Sequence, residues 1–541
     1  MIRRFALLLL IPMISGAAVP AIAYVLNSAS YRLPGLSASG IAQGSIFTVF
    51  GSDLGPSSCG TALALPLETS LCGVTLTVTV NTTSTAPIPL FVYSSQINAI
   101  LPSLTPTGSG TLTVTYGNQT SESVPIQVVA AAFGTFTPSS YGYGQASVTY
   151  NSDGSLNTII HTLHPGDIAV LWGTGLGPIA GSDANTPPVA NIGSPTMHVG
   201  NAALTLGSGL IYAGRSNQFP GLDQIDFTVP PGVQGCYVPI AVDAGGGVAN
   251  IGTIAVSAAG TNTCSDSVIG QDLINQLASG QNASFAYLQL QSINITISGL
   301  TLAGTFGNGD YAYATFSEFT PATAFWAEYG VSSGYCASAP ADLDDLSIAQ
   351  LDAGAALSLT GPLVAPPIPD YAPGFGRYGA FLANSGKFLF SDESYSMAGT
   401  GGANVKAFSV TETSSLPSAK LVGLSGQTFP RTSDLQVQWN GGNTDLRNVP
   451  TIVAGASFND DETLGIEFLC TAPAGATSFT IPAWVLSTLP ATGMTTSGSL
   501  TVPNGYIWVG QYNTPTTFTA PGIDFGIMTD VFFQGNASTF Q

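Results

Sequence analysis

Histidine, the usual general base of hydrolases, is scarce in this chain. Only three occur among 541 residues, namely His161, His164 and His198, and all of them precede residue 200. A Ser–His–Asp triad in the second half is therefore excluded, and no Gly-x-Ser-x-Gly nucleophile elbow occurs. The pair His161-x-x-His164 offers two metal ligands without a third nearby, so a solvated loop is the better interpretation.

Clustered carboxylates offer a second kind of chemistry. Two carboxyl groups facing each other across a cleft could hydrolyse a glycoside, and the candidates are Asp392, Glu393, Asp460, Asp461, Glu462 and Glu467. Turns rich in Asp and Asn also suit Ca²⁺, and the candidate ligands are Asn459, Asp460, Asp461, Glu462, Asp342, Asp344 and Asp345. Neither turn matches an EF-hand, and solvated loops explain both clusters more simply. We expect no catalytic residues, no metal site and no cofactor, with Ca²⁺ as the remaining alternative.

Tryptophans of the second half could bind sugars, because apolar sugar faces stack on aromatic rings. They are Trp326, Trp439, Trp484 and Trp508. On an exposed sheet face these rings would form a carbohydrate-binding platform, whereas buried rings would belong to the core. Their exposure decides between the two interpretations, and the core is the simpler one.

A Gly-rich segment occurs twice in the first half. Its residues are Gly44, Gly51, Leu54, Gly55 and Pro56 in the first copy and Gly166, Gly173, Leu176, Gly177 and Pro178 in the second. Each copy has the pattern of a turn, an apolar strand and a second turn closed by proline. A dinucleotide site is not expected in the second copy, because no helical pattern follows Pro178 to receive a pyrophosphate.

A second repeated segment places two polar side chains on one strand face. It comprises Gln96, Asn98 and Pro102 in the first copy and Gln224, Asp226 and Pro230 in the second. Residues two apart share a face of a strand, and polar groups on a largely apolar strand need hydrogen-bond partners. We expect these side chains to tie a neighbouring loop to the strand rather than to bind a ligand.

Alternation of apolar and polar residues predicts an all-β chain. Residues 74–80 and 111–116 alternate apolar residues with threonine, as half-buried antiparallel strands do. We expect tandem immunoglobulin-like β-sandwich domains followed by a β-rich C-terminal region of one or two sandwich-like domains. The expected divisions are a signal peptide at 1–23, Ig-like repeats at 24–141 and 142–259, a linker with a short helix at 260–282, a β-rich domain at 283–416 and a sandwich-like domain at 417–541.

The N-terminal sequence predicts export. Arg3 and Arg4 precede an apolar run at residues 5–14, and residues 21–23 have the small-x-small pattern of a cleavage site. No later apolar run is long enough for a spanning helix, so we expect no transmembrane segment in the mature chain. The protein would be extracellular or associated with the cell surface.

The charge balance limits the partners. The chain has 30 acidic and 10 basic residues and a formal net charge of −20. Because a polyanion would be repelled, we expect no nucleic-acid partner. The expected partners are a cell-envelope component, a matrix protein or a polysaccharide.

Six cysteines in an exported chain predict disulfides. Spacing alone leaves the connectivity open, but pairing neighbours in the sequence gives Cys59–Cys72, Cys236–Cys264 and Cys336–Cys470. No pair has the C-x-x-C spacing of a zinc or redox site.

Both repeated segments resemble an acidobacterial (Solibacter-type) family of exported Ig-like repeats. The resemblance covers residues 27–264 and includes the segment 93–102, the strand at 235–240 and Cys264. This chain departs from the family pattern in two ways: the first copy lacks the proline that often precedes the glutamine, and Asp226 replaces the asparagine found at Asn98. The resemblance implies an exported β-domain and assigns no chemistry. Segments of the C-terminal half match more weakly.

These observations favour a non-enzymatic exported β-sandwich protein with a structural, adhesive or matrix-interaction role at a bacterial cell surface. The alternative is an array of carbohydrate-binding modules, or an accessory to polysaccharide degradation. A glycoside hydrolase in the C-terminal half is the lesser alternative.

Overall fold

We describe the protein from a computed structural model, which covers residues 18–62, 64–265, 270–297, 300–301, 308–322, 330–341, 349–371, 376–383, 387–416, 419–424, 426–442, 451–497 and 500–541. Strands dominate the described chain, and helices are short. The predicted all-β class is therefore confirmed.

The first domain is a sandwich of two sheets. Its strands are β1 (Ala21–Asn27), β2 (Ile41–Ala42), β3 (Ile46–Ser52), β4 (Gly60–Thr61), β5 (Ser70–Leu71), β6 (Val74–Val80), β7 (Thr83–Thr85), β8 (Ile88–Val92), β9 (Gln96–Ile100), β10 (Gly108–Tyr116), β11 (Gln119–Thr120) and β12 (Val124–Val129). One sheet has the order β1-β3-β9-β8-β4 and the other β2-β12-β10-β6-β5. Along β6 the valine and leucine side chains are buried and the threonines face outward, as the alternation predicts. Phe47 and Ile97 of one sheet share a core with Leu76 and Leu112 of the other.

The second domain repeats this architecture with its layers joined. Its strands are β13 (Gly134–Thr135), β14 (Gly144–Gln145), β15 (Val148–Tyr150), β16 (Ile168–Thr174), β17 (Thr196–Val199), β18 (Ala202–Leu206), β19 (Gly209–Arg215), β20 (Asp223–Thr228), β21 (Gly235–Asp243) and β22 (Val248–Val256). Strand β18 pairs with β17 on one side and β19 on the other, so one continuous sheet supplies both layers. Strand β13 already pairs with β16, so this domain begins before the expected boundary at 141/142.

A short helix follows, as predicted for the linker. Helix α1 (Gln271–Ala278) buries Leu273, Ile274 and Leu277. These side chains pack with Tyr237 of the second domain and Phe319 of the C-terminal region, so the helix fills the junction between them. The N-cap of this helix is Gly270. The sequence also offers Asp266 or Ser267 as a cap, and both lie outside the described residues.

The C-terminal region is built around one large sheet. Its elements are β23 (Ala283–Ile297), β24 (Leu300–Thr301), β25 (Gly309–Phe319), β26 (Tyr335–Pro340), β27 (Ala349–Gln350), β28 (Ala356–Thr360), β29 (Ile368–Pro369), β30 (Arg377–Ala383), β31 (Ser394–Gly401), β32 (Lys406–Thr413), β33 (Ala419–Leu421), β34 (Thr428–Phe429), β35 (Leu435–Gly441), β36 (Thr451–Phe458), β37 (Gly465–Ala472), β38 (Ser478–Ile481), α2 (Ala483–Leu486), β39 (Met494–Ser497), β40 (Leu500–Pro503), β41 (Gly505–Tyr512), β42 (Thr516–Ala520), β43 (Ile523–Ala537) and β44 (Thr539–Phe540). The large sheet has the order β26-β37-β36-β41-β43-β23-β25-β27, and β30 also pairs with β25.

This sheet crosses the boundary expected between 416 and 417. Strand β43 lies parallel to β23 over twelve residue pairs, and β26 pairs with β37. Of the one or two sandwich-like domains expected here, the strands fit the single-domain alternative, because each half of the sequence supplies strands to the other. The C-terminal region shares one large sheet.

Two smaller sheets cover the inner face of the large sheet. The sheet β29-β28-β31-β32 packs over β23, β25 and β43 around Leu288, Phe316 and Met397. The sheet β33-β35-β38 packs over β36, β37 and β41 around Trp439 and Phe468. Two sandwiches thus lie side by side and share their larger layer.

All three disulfides expected from neighbouring cysteines are present and confirmed. They are Cys59–Cys72, Cys236–Cys264 and Cys336–Cys470. The third joins directly paired residues of β26 and β37 across 134 positions of sequence.

The predicted signal peptide falls mostly outside the described residues. Strand β1 begins at Ala21, within the expected cleavage pattern, and pairs with β3. Among the helices in the described ranges, none is long and apolar enough to cross a membrane.

Candidate functional site

The two copies of the Gly-rich segment meet at the interface between the first two domains. Gly44 has a φ of 73°, and a Cβ at this position would collide with the Arg215 side chain. Arg215 forms a buried ion pair with Asp223. Asp223 also accepts the backbone N–H groups of Gly175 and Leu176 at 2.6 and 2.7 Å. The repeated residues thus hold a turn and a domain interface.

The repeated Gln and Asn/Asp side chains bond along their own strands. Gln96 Nε2 donates to Asn98 Oδ1 at 2.9 Å, and Gln224 Nε2 donates to Asp226 Oδ1 at 2.7 Å. Thr48 Oγ1 on the adjacent strand β3 also donates to Asn98 Oδ1 at 3.1 Å. The expected tie to a loop is therefore wrong: the bonds lie within the sheet, because residues two apart are already neighbours on one face.

Each histidine of the predicted His161-x-x-His164 pair has its own partner. His161 Nδ1 lies 3.2 Å from Leu156 O. His164 Nδ1 and Nε2 lie 3.1 Å from Asp167 Oδ2 and 2.7 Å from Thr261 O. Both rings thus fix loops.

The acidic turn at 459–462 uses its side chains to hold a neighbouring hairpin. Two bonds reach the hairpin of β39 and β40: Met494 N donates to Asp460, and Thr495 Oγ1 donates to Glu462. Within the turn itself, Leu464 N donates to Asn459, and Thr463 N and Oγ1 donate to Asp461. In the described part of the chain no group of three His, Cys, Asp or Glu residues could hold a metal ion. The other predicted Ca²⁺ turn, with Asp342, Asp344 and Asp345, lies outside the described residues.

The structure does not assemble the predicted glycosidase carboxylates into a pair. Asp392 and Glu393 precede β31 in the smaller sheet, whereas Glu467 lies on β37 of the large sheet. Burial raises the pKa of Glu467 to about 7. Its neighbours across the sheet are Ala339 and Ala456, which carry no acid or base.

The four tryptophans do not form a shared platform. Trp439 is only 3% exposed and belongs to the core, as the simpler interpretation had it, so the alternative of stacking on sugars is excluded for this residue. Trp484 is half-buried and stacks on His198 of the second domain at 4.9 Å between ring centroids. Trp508 is half-buried and stacks on Tyr506 at 4.7 Å. Trp326 lies outside the described residues.

An aromatic cavity instead occupies the outer face of the large sheet, across β23, β25 and β30. Its volume is about 550 Å³. Leu288 and Leu290 of β23 point into the core on the inner face, so the alternate residues point outward. The lining residues are Gln289, Gln291, Tyr311, Ala312, Tyr313, Tyr371, Gly379, Ala380 and Phe381.

The strand register brings these side chains together in two rows. The rows are Gln291–Tyr311–Phe381 and Gln289–Tyr313–Gly379. Side chains paired across strands lie about 5 Å apart. The Tyr311 and Phe381 rings contact each other, with centroids 4.7 Å apart and planes tilted by 52°.

Gly379 leaves space in the second row of side chains. At Gly379 a Cβ would meet ring carbons of Tyr371 at 3.4 Å, so the absent side chain leaves room for this ring. Tyr371 is 54% exposed and Phe381 is 38% exposed. Two accessible aromatic rings therefore stand at the rim of the aromatic cavity.

The polar groups of the cavity are uncharged. Gln289 Nε2 donates to Tyr287 OH at 2.9 Å, whereas the Gln291 amide has no partner among the described residues. Burial raises the pKa of Tyr311, which keeps its hydroxyl neutral. No charged side chain lines the cavity in the described structure. The arrangement suits binding by stacking and hydrogen bonding, without acid–base chemistry.

The cavity residues were not predicted, because the sequence analysis considered only tryptophans as residues that could stack on sugars. A signal was nevertheless present, since tyrosine alternates at Tyr311 and Tyr313 and glutamine at Gln289 and Gln291. The pairing of these two strands with β30, which brings Phe381 beside Tyr311, was not visible in the sequence.

Comparison with known proteins identifies no family. No family model matches the chain, and no curated protein matches it. Among solved structures it is similar to three N-terminal domains of the bacteriophage RB49 Highly Immunogenic Outer Capsid protein, at 7% identity and a TM-score of 0.14, over 73% of this chain and 99% of that chain. It is similar to domains 4–9 of the surface layer protein SbsC, at 12% identity and a TM-score of 0.17, over 94% of this chain and 83% of that chain. A three-domain segment of titin matches at 9% identity and a TM-score of 0.15, over 67% of this chain and 89% of that chain. Because these TM-scores are low, we infer function from the chain's own residues.

Proposed function

We propose that this protein is an exported, non-enzymatic β-sandwich protein that acts in structure, adhesion or matrix interaction at the cell surface. The observation that carries this proposal is the aromatic cavity. It is an accessible recess of aromatic and amide side chains, built on three paired strands of a large sheet. Such a recess can hold a partner, and its lining supplies no nucleophile, base or metal ligand set.

Export is supported by the cysteines and by the charge. All six cysteines form disulfides, which persist in oxidising compartments. The formal net charge of −20 favours solubility outside the cell. The signal-peptide pattern at residues 1–23 is part of the same proposal.

A rigid connection between domains supports an adhesive or structural role. The second domain bonds to the first through Ser103, whose N–H and hydroxyl both donate to Asp183 at 2.7 Å. The first domain bonds to the C-terminal region through Ser37, whose hydroxyl donates to Ser487 O at 2.7 Å. The second domain meets the same region where His198 stacks on Trp484. Contacts at every junction keep the cavity at a fixed position.

We also propose that residues 27–264 belong to the Solibacter-type Ig-like repeat family. In support, both copies of the Gly-rich segment close a strand of a sandwich domain, β3 in the first and β16 in the second. Membership of this family would imply an exported β-domain and would assign no chemistry.

The experiment is a retention assay on the producer's cell envelopes and on insoluble polysaccharides, using oxidised protein. We expect wild type to be retained, and Phe381→Ala to lose at least tenfold in affinity. Tyr93→Ala is the matched control, because Tyr93 is an aromatic residue of similar exposure (43%) in the first domain. Equal retention of Phe381→Ala and wild type would reject the cavity as the binding site. Turnover of a polysaccharide by wild type would reject the non-enzymatic assignment.

A further inference from the structure

We propose that the aromatic cavity binds an uncharged glycan, with Gln291 as the residue that recognises its hydroxyl groups. This inference rests on the proposed function, because it names the ligand of the same site. The residues proposed to bind the glycan are not the tryptophans that the sequence analysis considered.

The two rim rings favour a sugar. Tyr371 and Phe381 are accessible. Phe381 belongs to one row of the sheet, and the Tyr371 ring lies against Gly379 of the next row. A pyranose presents an apolar C–H face that packs on such rings, while its hydroxyl groups point sideways toward polar side chains.

The side-chain amides of Gln289 and Gln291 differ in the hydrogen bonds that they form within the protein. Gln289 is held by Tyr287 and also bonds to the Tyr512 hydroxyl, so its amide is committed to the sheet. Gln291 lies one row away, beside Tyr311, and no described group bonds to its amide. An amide both donates and accepts hydrogen bonds, and a sugar hydroxyl does the same. Gln291 is therefore the side chain available to a ligand.

The charge of the lining argues against anionic glycans and cationic ligands, and the size of the cavity argues against a whole protein surface. Among the described lining residues there is no cation for an anionic glycan, and the formal net charge of −20 repels such a ligand. The same described residues include no carboxylate for a cationic ligand. A protein partner needs a contact of about 800 Å² on each side, whereas a cavity of about 550 Å³ fits a small ligand or one segment of a chain.

The test measures the affinity of the oxidised full chain for a panel of oligosaccharides by calorimetry. The panel pairs neutral glucans, mannans and galactans with polymers of uronic acids. We expect at least one neutral glycan to bind, and no uronic-acid polymer to bind more tightly. Gln291→Leu keeps the volume and removes the amide, and we expect it to weaken binding at least fivefold. Tyr93→Ala and the thermal unfolding midpoint of each variant serve as controls.

The outcomes separate this inference from the proposed function. Envelope retention that Phe381→Ala abolishes and that no neutral glycan competes would overturn the glycan assignment and leave the adhesive role intact. Competition by an envelope protein alone would have the same meaning. Binding of neutral glycan that Gln291→Leu leaves unchanged, in a normally folded variant, would overturn the role of Gln291.

Discussion

The carboxyl groups of Glu412 and Asp530 lie together inside the core between strands β32 and β43. Glu412 is 3% exposed and Asp530 is fully buried. Asp530 Oδ2 accepts Ser414 Oγ at 2.8 Å and Leu416 N at 3.0 Å. Burial, followed by the interaction with the Asp530 side chain and its charge, raises the pKa of Glu412 to about 10. At neutral pH Glu412 is therefore protonated.

The first prediction concerns the pH dependence of stability. Folding raises the pKa of Glu412 from 4.5 to about 10. The stability that this group contributes to the folded state is therefore fully present below pH 4.5 and is lost as the pH rises toward 10. Over this window the free energy of unfolding falls by up to about 1.4 kcal/mol per pH unit for this one proton. Glu412→Gln keeps a donor without a charge, so we expect a higher melting temperature above pH 7 and a flatter pH profile. The exposed Glu122→Gln is the control. An equal loss of stability at every pH would contradict the assignment.

The second prediction concerns the buried ion pair of Arg215 and Asp223 at the first domain interface. Removing one partner leaves a buried charge uncompensated, so Arg215→Met should lower the free energy of unfolding by about 3–5 kcal/mol. The double variant Arg215→Met with Asp223→Leu should recover part of this loss. Denaturant unfolding of the three proteins measures both effects. No recovery in the double variant would mean that the pair matters through its packing and backbone bonds.

The third prediction separates the core tryptophan from the cavity. Trp439→Ala empties a core position and should cost about 3–5 kcal/mol of stability. It should leave ligand affinity per folded molecule unchanged. Phe381→Ala should do the reverse, because this ring is 38% exposed. Thermal unfolding and calorimetric binding on the same two variants distinguish the roles, and a loss of affinity in folded Trp439→Ala would return tryptophan to the binding site.

The fourth prediction concerns the longest disulfide loop. Cys336–Cys470 closes 134 positions, so replacing both cysteines with alanine should destabilise the C-terminal region by about 5 kcal/mol in the chain-entropy description. Replacing Cys59 and Cys72, which are 13 positions apart, should have a smaller effect. Chemical denaturation in the absence of reductant compares the two. A larger loss from the short loop would argue against loop length as the cause.

The fifth prediction concerns Ca²⁺ at the 459–462 turn. Its side chains already accept hydrogen bonds, so EDTA should leave the melting temperature within about 1 °C. Asp461→Asn is the matched variant. A rise in melting temperature on adding Ca²⁺, lost in this variant, would restore the turn as a cation site.

Local patterns predicted local structure well in this chain. Threonine alternation placed β6, the apolar edge of Leu273, Ile274 and Leu277 placed α1, and cysteine neighbours gave the disulfides. Each depends on residues close in sequence or on a short list of cysteines. The repeat motifs also located matching turns in two domains.

The sequence did not predict which strands that are far apart in the chain pair with each other. Nothing in β23 or β43 indicates that Phe285 pairs with Phe525, since any apolar strand of similar length would serve. The choice between one and two C-terminal domains could not be made from the sequence for this reason. The aromatic cavity was missed for the same reason, because it exists only once β30 lies beside β25. Glu412 and Asp530 look like ordinary surface acids until the fold buries them together.

The parallel pairing of β23 with β43 also has a consequence for the order of folding. These strands are about 240 residues apart in the sequence, and β43 lies inside the sheet with β23 and β41 on either side. Chain synthesis and export proceed from the N-terminal end, so one edge of β23 stays unpaired until residues 523–537 arrive. Contacts this distant slow folding, and an open strand edge is a site of aggregation. The C-terminal region should therefore need more protection during folding than the two N-terminal domains, whose paired strands are at most about 110 residues apart in the sequence.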